Sequence, residues 1–434
     1  MSDNLPAKVS ESLFSKEEEE EEEEEVAMCD FLPPEILSNI LLRLPTKSIV
    51  KFTCVCKTWR SLIRNPDFIS AHLKLSNHNQ PLLLFRFCSD SFLKQRYLDR
   101  DTDEKEVYKL YCDNQDFNEH VRFDFPFHTL GRTTIFSVVG TCNGLVCVED
   151  DGLLDRIILW NPCVRMFMEL PKPSITYQGY HEDDGYGYDA ATGLGFDSKT
   201  NDYKVVRVVT VVDVRRRRDW GVFPPKVEVY SLATGEWSMV TTALPGAVHP
   251  CEPMPFVNGA LHWVALRKIN HFKYRNFIMV LDLEDMVIRE IVLPILSDEK
   301  DNGDEAFIFP FISAYGNSLA LIHGDSGLSL NVWLMKRYAD ASSWTKIVIF
   351  PHIGTLEQAI KDIKAVGHGF IPRAKGFRKS GEVVVELGEQ PFVSQDLETQ
   401  ECKDLPISAY NYTFLGSYVK SLVLLDKPNR AATY

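Results

Sequence analysis

Gly324-Asp325-Ser326-Gly327 places a serine between small residues and behind an aspartate, a setting suited to a serine that attacks a carbonyl carbon. That chemistry also needs a general base, an acid that orients the base, and an oxyanion hole. Leu328 and Ser329 follow, and no second segment supplies those partners, so the stretch reads as a hairpin turn. The ten cysteines contain no Cys-x-x-Cys pair, and none stands beside histidine at zinc-ligand spacing. Asp183 and Asp184 lack the spacing of an EF-hand, and no glycine-rich phosphate loop of the Walker form is present. His262, next to Trp263, reads as a buried strand position rather than a ligand. No nucleophile–base constellation emerges, so neither catalysis nor a metal or cofactor is expected.

Two segments carry recognition chemistry instead. Arg215, Arg216, Arg217 and Arg218 form a basic run between two apolar strands. They read as a solvated loop or, more sharply, as a loop that binds an acidic patch on another protein; a nuclear-import signal is a third reading. Tyr177, Tyr180, Tyr186 and Tyr188 punctuate an acidic stretch. Tyrosine is enriched at interfaces, so this stretch is either a flexible insertion or a second contact loop.

The formal net charge of −14 is concentrated in Glu17–Glu25, and outside that run the balance is only −5. A like-charged run repels itself and buries no apolar area, so residues 1–29 are expected to form a disordered acidic tail. An acidic chain is a poor partner for nucleic acid. The first residues lack the apolar core of a signal peptide, and no apolar run is long enough to span a bilayer. Reduced thiols in the cytoplasm and/or nucleus, and no membrane partner, are the expectation.

The elements that position any site begin with Phe31–Leu75. Pro33 and Pro34 suit the start of a helix, where backbone donors have no partner. Ile36, Leu37, Ile40, Leu41 and Leu44 then follow a helical period. Pro45 ends that helix. Thr46 or Ser48 is placed to cap a second, with Ile49, Val50 and Phe52 inward. Lys57–Arg64 gives a third, carrying Trp59, Leu62 and Ile63, and Asn65-Pro66 reads as its stop. A unit of about 40 residues rarely builds a sufficient core alone, and Leu42 adds apolar surface off the main stripe, so this unit calls for a partner.

From about residue 80 the period changes to short Val-, Ile- and Leu-rich strands separated by turns. Asn143-Gly144 and Asn258-Gly259 are strong hairpin signals, with Tyr315-Gly316-Asn317 similar. Each unit closes on an apolar strand, a polar turn and a further strand, as in Leu159-Trp160-Asn161-Pro162, Tyr230-Ser231, Leu281-Asp282 and Gln395-Asp396. The spacing, about 50 to 70 residues, is near the scale of kelch repeats. Radial repetition of small sheets solves the problem of open edges, so the expected fold is α plus all-β: a helical unit followed by a β-propeller of about six blades. Tyr418–Leu425 is expected to be the strand that closes the ring, and Leu356–Ile363 a short helix.

The helical unit resembles the F-box of plant proteins. The resemblance rests on Leu32-Pro33-x-Glu35-Ile36-Leu37, Leu44-Pro45-x-Lys47-Ser48-Ile49 and Val55-Cys56-Lys57-x-Trp59-Arg60-x-Leu62-Ile63. It implies a three-helix module over residues 30–76 that docks a Skp-type adaptor and, through it, a cullin and a RING subunit. Leu32, Pro33, Ile36, Leu37, Ile40, Leu44, Pro45, Val55, Trp59, Leu62 and Ile63 are the residues it implies for docking or its support. Gly140-Thr141-Cys142-Asn143-Gly144-Leu145, Gly195-Phe196-Asp197 with Asp202-Tyr203-Lys204, and Asn258-Gly259-x-Leu261-His262-Trp263 resemble the plant F-box-associated domain. That similarity spans residues 80–426, leaving 427–434 as a tail, and implies a kelch-like domain that recruits a target protein. The function implied is that of a non-catalytic substrate receptor in a Skp–cullin–F-box ubiquitin ligase, which would hand its target to proteasomal degradation. A scaffold bound to the adaptor without driving ubiquitination is the alternative.

Overall fold

A computed structural model describes residues 32–76, 81–87, 107–124, 136–150, 155–176, 186–213, 223–241, 244–248, 254–269, 274–294, 310–324, 330–349, 373–386, 392–407, 413–427 and 431–432. The helical unit is α1 (Pro34–Leu42), α2 (Thr46–Phe52), α3 (Lys57–Ile63) and α4 (Pro66–Ser76). This is one helix more than the three expected. Pro66 does end the third helix, but it also occupies the first turn of α4, where a missing N–H costs nothing. Pro45, rather than Thr46 or Ser48, stands at the cap of α2, and Thr46 is its buried first residue.

Six sheets follow. The first holds β1 (Leu82–Phe87), β2 (Val107–Cys112) and β3 (Glu119–Asp124), and the second β4 (Phe136–Cys142), β5 (Leu145–Asp150), β6 (Ile157–Asn161) and β7 (Met166–Glu169). The third is β8 (Tyr186–Asp197), β9 (Asp202–Asp213), β10 (Lys226–Ser231) and β11 (Glu236–Val240). In the fourth, the short β12 (Ala247–Val248) and β13 (Phe256–Val257) both pair β14 (Ala260–Lys268), beside β15 (Tyr274–Asp282) and β16 (Ile288–Ile291). The fifth is β17 (Phe311–Tyr315), β18 (Ser318–Gly324), β19 (Leu330–Met335) and β20 (Trp344–Ile349). The sixth is β21 (Arg373–Phe377), β22 (Val383–Glu386), β23 (Val393–Gln395) and β24 (Cys402–Asp404). The middle strands are buried on both faces against neighbouring blades, which explains why they read as unbroken apolar runs.

The ring closes through β25 (Phe414–Tyr418), which pairs β1 with Leu82 opposite Tyr418 and Phe85 opposite Leu415. The closing strand therefore ends where it was expected to begin. Residues 419–425 leave the sheet, and Leu422, Val423, Leu424 and Leu425 sink into an apolar cluster shared with Leu41, Ile49 and Ile63 of the helices. Asn161 holds this segment: its Nδ2 donates to Ser421 O at 3.2 Å and Val423 O at 2.9 Å. Gly144, at φ +83°, leaves the space, since a Cβ there would collide with Ser421 and the Val419 carbonyl. A last strand, β26 (Ala431–Ala432), pairs β7.

In three blades the polar residue at the end of the third strand has a local task. Asp282 Oδ1 accepts from Glu284 N at 3.0 Å, Asp396 Oδ1 from Glu398 N and Thr399 N at 2.8 Å, and Asn161 Oδ1 from Cys163 N at 3.1 Å. These are side-chain-capped turns, which Asp and Asn form readily because a short acceptor reaches the backbone two residues on.

Candidate functional site

The sequence of α1 divides its apolar residues between two faces. Leu37 and Leu41 are 5% and 1% exposed, one turn apart, and pack into the core. Ile36 and Ile40 are 48% and 46% exposed, also one turn apart, with Leu32 at 45% just before the helix and Val55 at 50% on the α2–α3 connection. Residues four apart share a helix face, so the single stripe read from the sequence is two adjoining ones. Ile63 is fully buried, and Leu44, Trp59 and Leu62 are half-buried against the same core. Pro33 and Pro45 are exposed N-caps. Phe52 and Trp59 meet edge to face at 5.3 Å, Arg60 Nε donates to Thr53 O at 2.9 Å, and Cys56 Sγ accepts from Trp59 N. The third motif block thus fixes how α3 sits on α2.

The propeller has two unlike ends. Turns at Thr141, Arg165, Phe256, Gly316 and Lys379 line a cavity of about 1590 Å³ whose other wall is Leu42–Lys47, Val50, Lys51 and His72 of the helices. The helical unit therefore lies at the end where the first strands of the blades finish. Strands alternate in direction, so Asp213, Lys226 and Tyr186 lie at the opposite end. The connections that contain Arg215–Arg218 and Tyr177 with Tyr180 start and finish there. Those six residues lie outside the described ones, as do residues 1–29 and the helix expected at Leu356–Ile363. Tyr186 and Tyr188 are not loop residues: both belong to β8, opposite Asp213 and Val211 of β9.

Other singled-out residues are structural. Gly324 ends β18 opposite Leu330, while Asp325, Ser326 and Gly327 lie outside the described residues. Burial pushes the Cys142 thiol up to about 12 and the Cys147 thiol well above its ordinary value, which leaves neither a ready nucleophile. Asp197 accepts from Thr200 Oγ1 and Lys204 Nζ, both at 2.6 Å. These bonds outweigh its burial and hold its carboxyl down at about 2. The Gly195-Phe196-Asp197 motif is thus a turn clamp, and Lys204 reaches on to Leu283 O at 2.8 Å in the next blade. No group of three metal-ligating side chains, and no helix long and apolar enough to cross a membrane, occurs among the described residues.

His262 is fully buried. Its Nδ1 faces Pro255 O at 3.1 Å, a carbonyl that only accepts, so Nδ1 carries the proton and Nε2 accepts from Tyr338 O–H at 2.9 Å. Burial lowers its pKa to about 4, and burial does the same to His72. The folded chain keeps both neutral while the unfolded chain protonates near pH 6.5. Stability is therefore complete above about pH 6.5 and falls as the pH drops toward 4, by on the order of 2–3 kcal/mol for one such histidine. Urea midpoints between pH 7 and 4.5 measure this, and His262→Gln should remove its own share of the dependence and leave that of His72.

Sequence reasoning missed one buried cluster. Arg207 Nη1 pairs with Glu228 Oε1, both fully buried, and Arg207 Nε lies 3.6 Å from Glu149 Oε1 of the second blade. Glu228 Oε2 accepts from Ser174 N at 2.8 Å and Ile175 N at 3.2 Å, and Thr192 Oγ1 donates to Glu149 at 3.0 Å. The available signal was a single arginine inside the valine-rich run Val205–Val212.

Residues 102–425 match the F-box associated beta propeller domain, and residues 30–70 match the F-box domain. The chain belongs to the F-box proteins with an F-box associated beta propeller. Similar proteins of Arabidopsis thaliana include F-box protein At3g07870, 26% identical over 86% of this chain and 87% of that one. F-box protein CPR1 is 26% identical over 91% of this chain and 89% of its own length. F-box/kelch-repeat protein At3g23880 is 26% identical over 74% and 79%. In this F-box protein the motif positions grade from buried Leu37 and Ile63 through half-buried Leu44, Trp59 and Leu62 to exposed Ile36 and Ile40.

Proposed function

We propose that this F-box protein is the substrate-recognition subunit of a Skp–cullin–F-box ubiquitin ligase. The observation that carries the reading is the exposed apolar set Leu32, Ile36, Ile40 and Val55 on a unit whose other large apolar side chains, Leu37, Leu41, Ile49 and Ile63, are already buried in a core shared with the propeller. Apolar side chains left in water on one surface of a small domain favour a protein partner. Membership of the F-box proteins supports a Skp-type adaptor as that partner and, through it, a cullin and a RING subunit. Leu37, Leu44, Trp59, Leu62 and Ile63 support the surface from beneath, and Pro33 and Pro45 set the helix starts.

The propeller end remote from the helices is the target-facing end in this proposal. The chain performs no bond chemistry; it raises the local concentration of target lysines near a ubiquitin-charged enzyme. The site of action is the cytoplasm and/or nucleus. Co-expression with a plant Skp-type adaptor should give a stable one-to-one complex on size exclusion. A folded chain that elutes alone overturns the docking assignment. Target half-life with and without this protein separates a receptor from a scaffold: an unchanged half-life supports the scaffold.

A recognition test follows from the position of the basic run. Changing Arg215–Arg218 to serine is expected to reduce target capture by about tenfold or more while adaptor binding is unchanged. Affinity purification of both chains, with quantification of co-purified proteins, provides the check.

A further inference from the structure

The cavity between the helical unit and the propeller has an unusual charge. Among the described residues its lining includes eight lysine and arginine side chains and one carboxylate, Asp113, although the chain as a whole carries −14. Two of the cations are compensated. Lys375 pairs with Glu386 at 3.1 Å, and Arg378 pairs with Asp113 at 2.8 Å and with Glu382. The other six, Arg43, Lys47, Lys51, Arg165, Lys379 and Lys420, form no ion pair among the described residues.

Their distribution matters more than their number. Arg43, Lys47 and Lys51 come from the end of α1 and from α2; Arg165, Lys379 and Lys420 come from three propeller turns. Two surfaces of one chain thus present like charge around one half-open cleft. Lys420 also sets its Nζ 2.6 Å from His120 Nε2, so this imidazole offers it a neutral acceptor and no countercharge. Low-dielectric walls such as Leu42, Val50 and Phe256 focus the field in such a cleft. The space exceeds the roughly 300–1,000 Å³ of ordinary ligand sites, leaving room for a hydrated, multiply charged ligand.

We propose that this cavity binds a compact small molecule carrying several phosphate groups, which bridges the F-box and the propeller. Phosphate oxygens suit both lysine point charges and the arginine fork. A bridging anion converts mutual repulsion into attraction on both sides and stiffens the junction. The proposal does not depend on adaptor docking.

The test titrates inorganic tripolyphosphate into the full chain at physiological salt and follows heat and melting temperature. Saturable one-to-one binding and a rise in melting temperature are expected. Lys47→Gln with Lys51→Gln, and separately Lys379→Gln with Lys420→Gln, should each weaken binding by about tenfold or more, since each pair removes two facing charges. Without the anion, both variants should melt no lower than the parent chain, because they relieve repulsion. A control, Lys226→Gln with Lys346→Gln, removes the same charge outside the cavity and should bind as the parent does. Absence of saturable binding, equal weakening in the control, or sensitivity to only one of the two pairs overturns the bridging site. Tighter binding of a multiply phosphorylated peptide than of tripolyphosphate, lost in both cavity variants, overturns the small-molecule assignment.

Discussion

Changing Ile36 and Ile40 together to aspartate is expected to abolish co-purification with a plant Skp-type adaptor and to leave the melting temperature within about 2 °C of the parent. Both side chains are close to half exposed, so the folded chain loses little when they change. At an interface each would bury apolar area worth about 1.5–3 kcal/mol, and two carboxylates forced into that surface add a desolvation penalty. A loss of at least about a hundredfold in affinity follows. Leu37→Ala is the contrasting change. It opens a hole beneath the same helix, so it lowers stability by about 2–5 kcal/mol and weakens the adaptor complex only indirectly. If Ile36→Asp with Ile40→Asp still co-purifies at wild-type yield, the docking surface lies elsewhere on the helices.

Glu228→Ala should destabilise the propeller by about 3–5 kcal/mol, measured by urea unfolding at pH 7. The side chain is fully buried, pairs with Arg207 and accepts two backbone N–H groups from residues 174 and 175. Truncation strands a buried guanidinium that keeps the Ile175 carbonyl at 3.2 Å and the longer contact to Glu149 but loses its close carboxylate. The intact cluster is not an argument for extra stability over an apolar core, because its desolvation offsets most of the attraction. Its value lies in position: it ties β5 of one blade to β9 and β10 of the next and to the connection between them. Adaptor binding should survive the change, since the helices do not touch this cluster. A loss below about 1 kcal/mol would mean that water or a local shift compensates Arg207.

The sequence showed the blades more clearly than the closure. Asn143-Gly144 and Asn258-Gly259 take positive φ at both residues, as a tight hairpin demands, and the polar residues Asn161, Asp282 and Asp396 mark the same turn in their blades. Local chemistry of that kind is written in two or three residues. The closing strand is not: Phe414–Tyr418 contains Gly416, needed because a Cβ there would press on Phe414 and Thr141, and glycine weakens a strand signal. The more apolar 418–425 looked the better strand, yet its side chains serve a junction that only the assembled tertiary structure creates. Pro66 misled for a related reason, since proline both stops one helix and starts another. In the site, the motif named the helices, but which isoleucines face water depends on where the core falls across a 3.6-residue turn. The facing cations come from segments far apart in sequence, and no periodicity could align them.

The pairing of β25 with β1 also sets an order of events in time. A ribosome adds about 5–20 residues per second, so the helices and the first blade emerge long before residue 414. Until then β1 has an open edge, and the cluster that joins the helices to Leu422–Leu425 is incomplete. The helices that carry Ile36 and Ile40 therefore finish packing only after residues 422–425 have emerged. A prematurely terminated chain would lack both the strand that seals β1 and the side chains that back Leu41, Ile49 and Ile63, so full-length synthesis completes the helical unit and the propeller together.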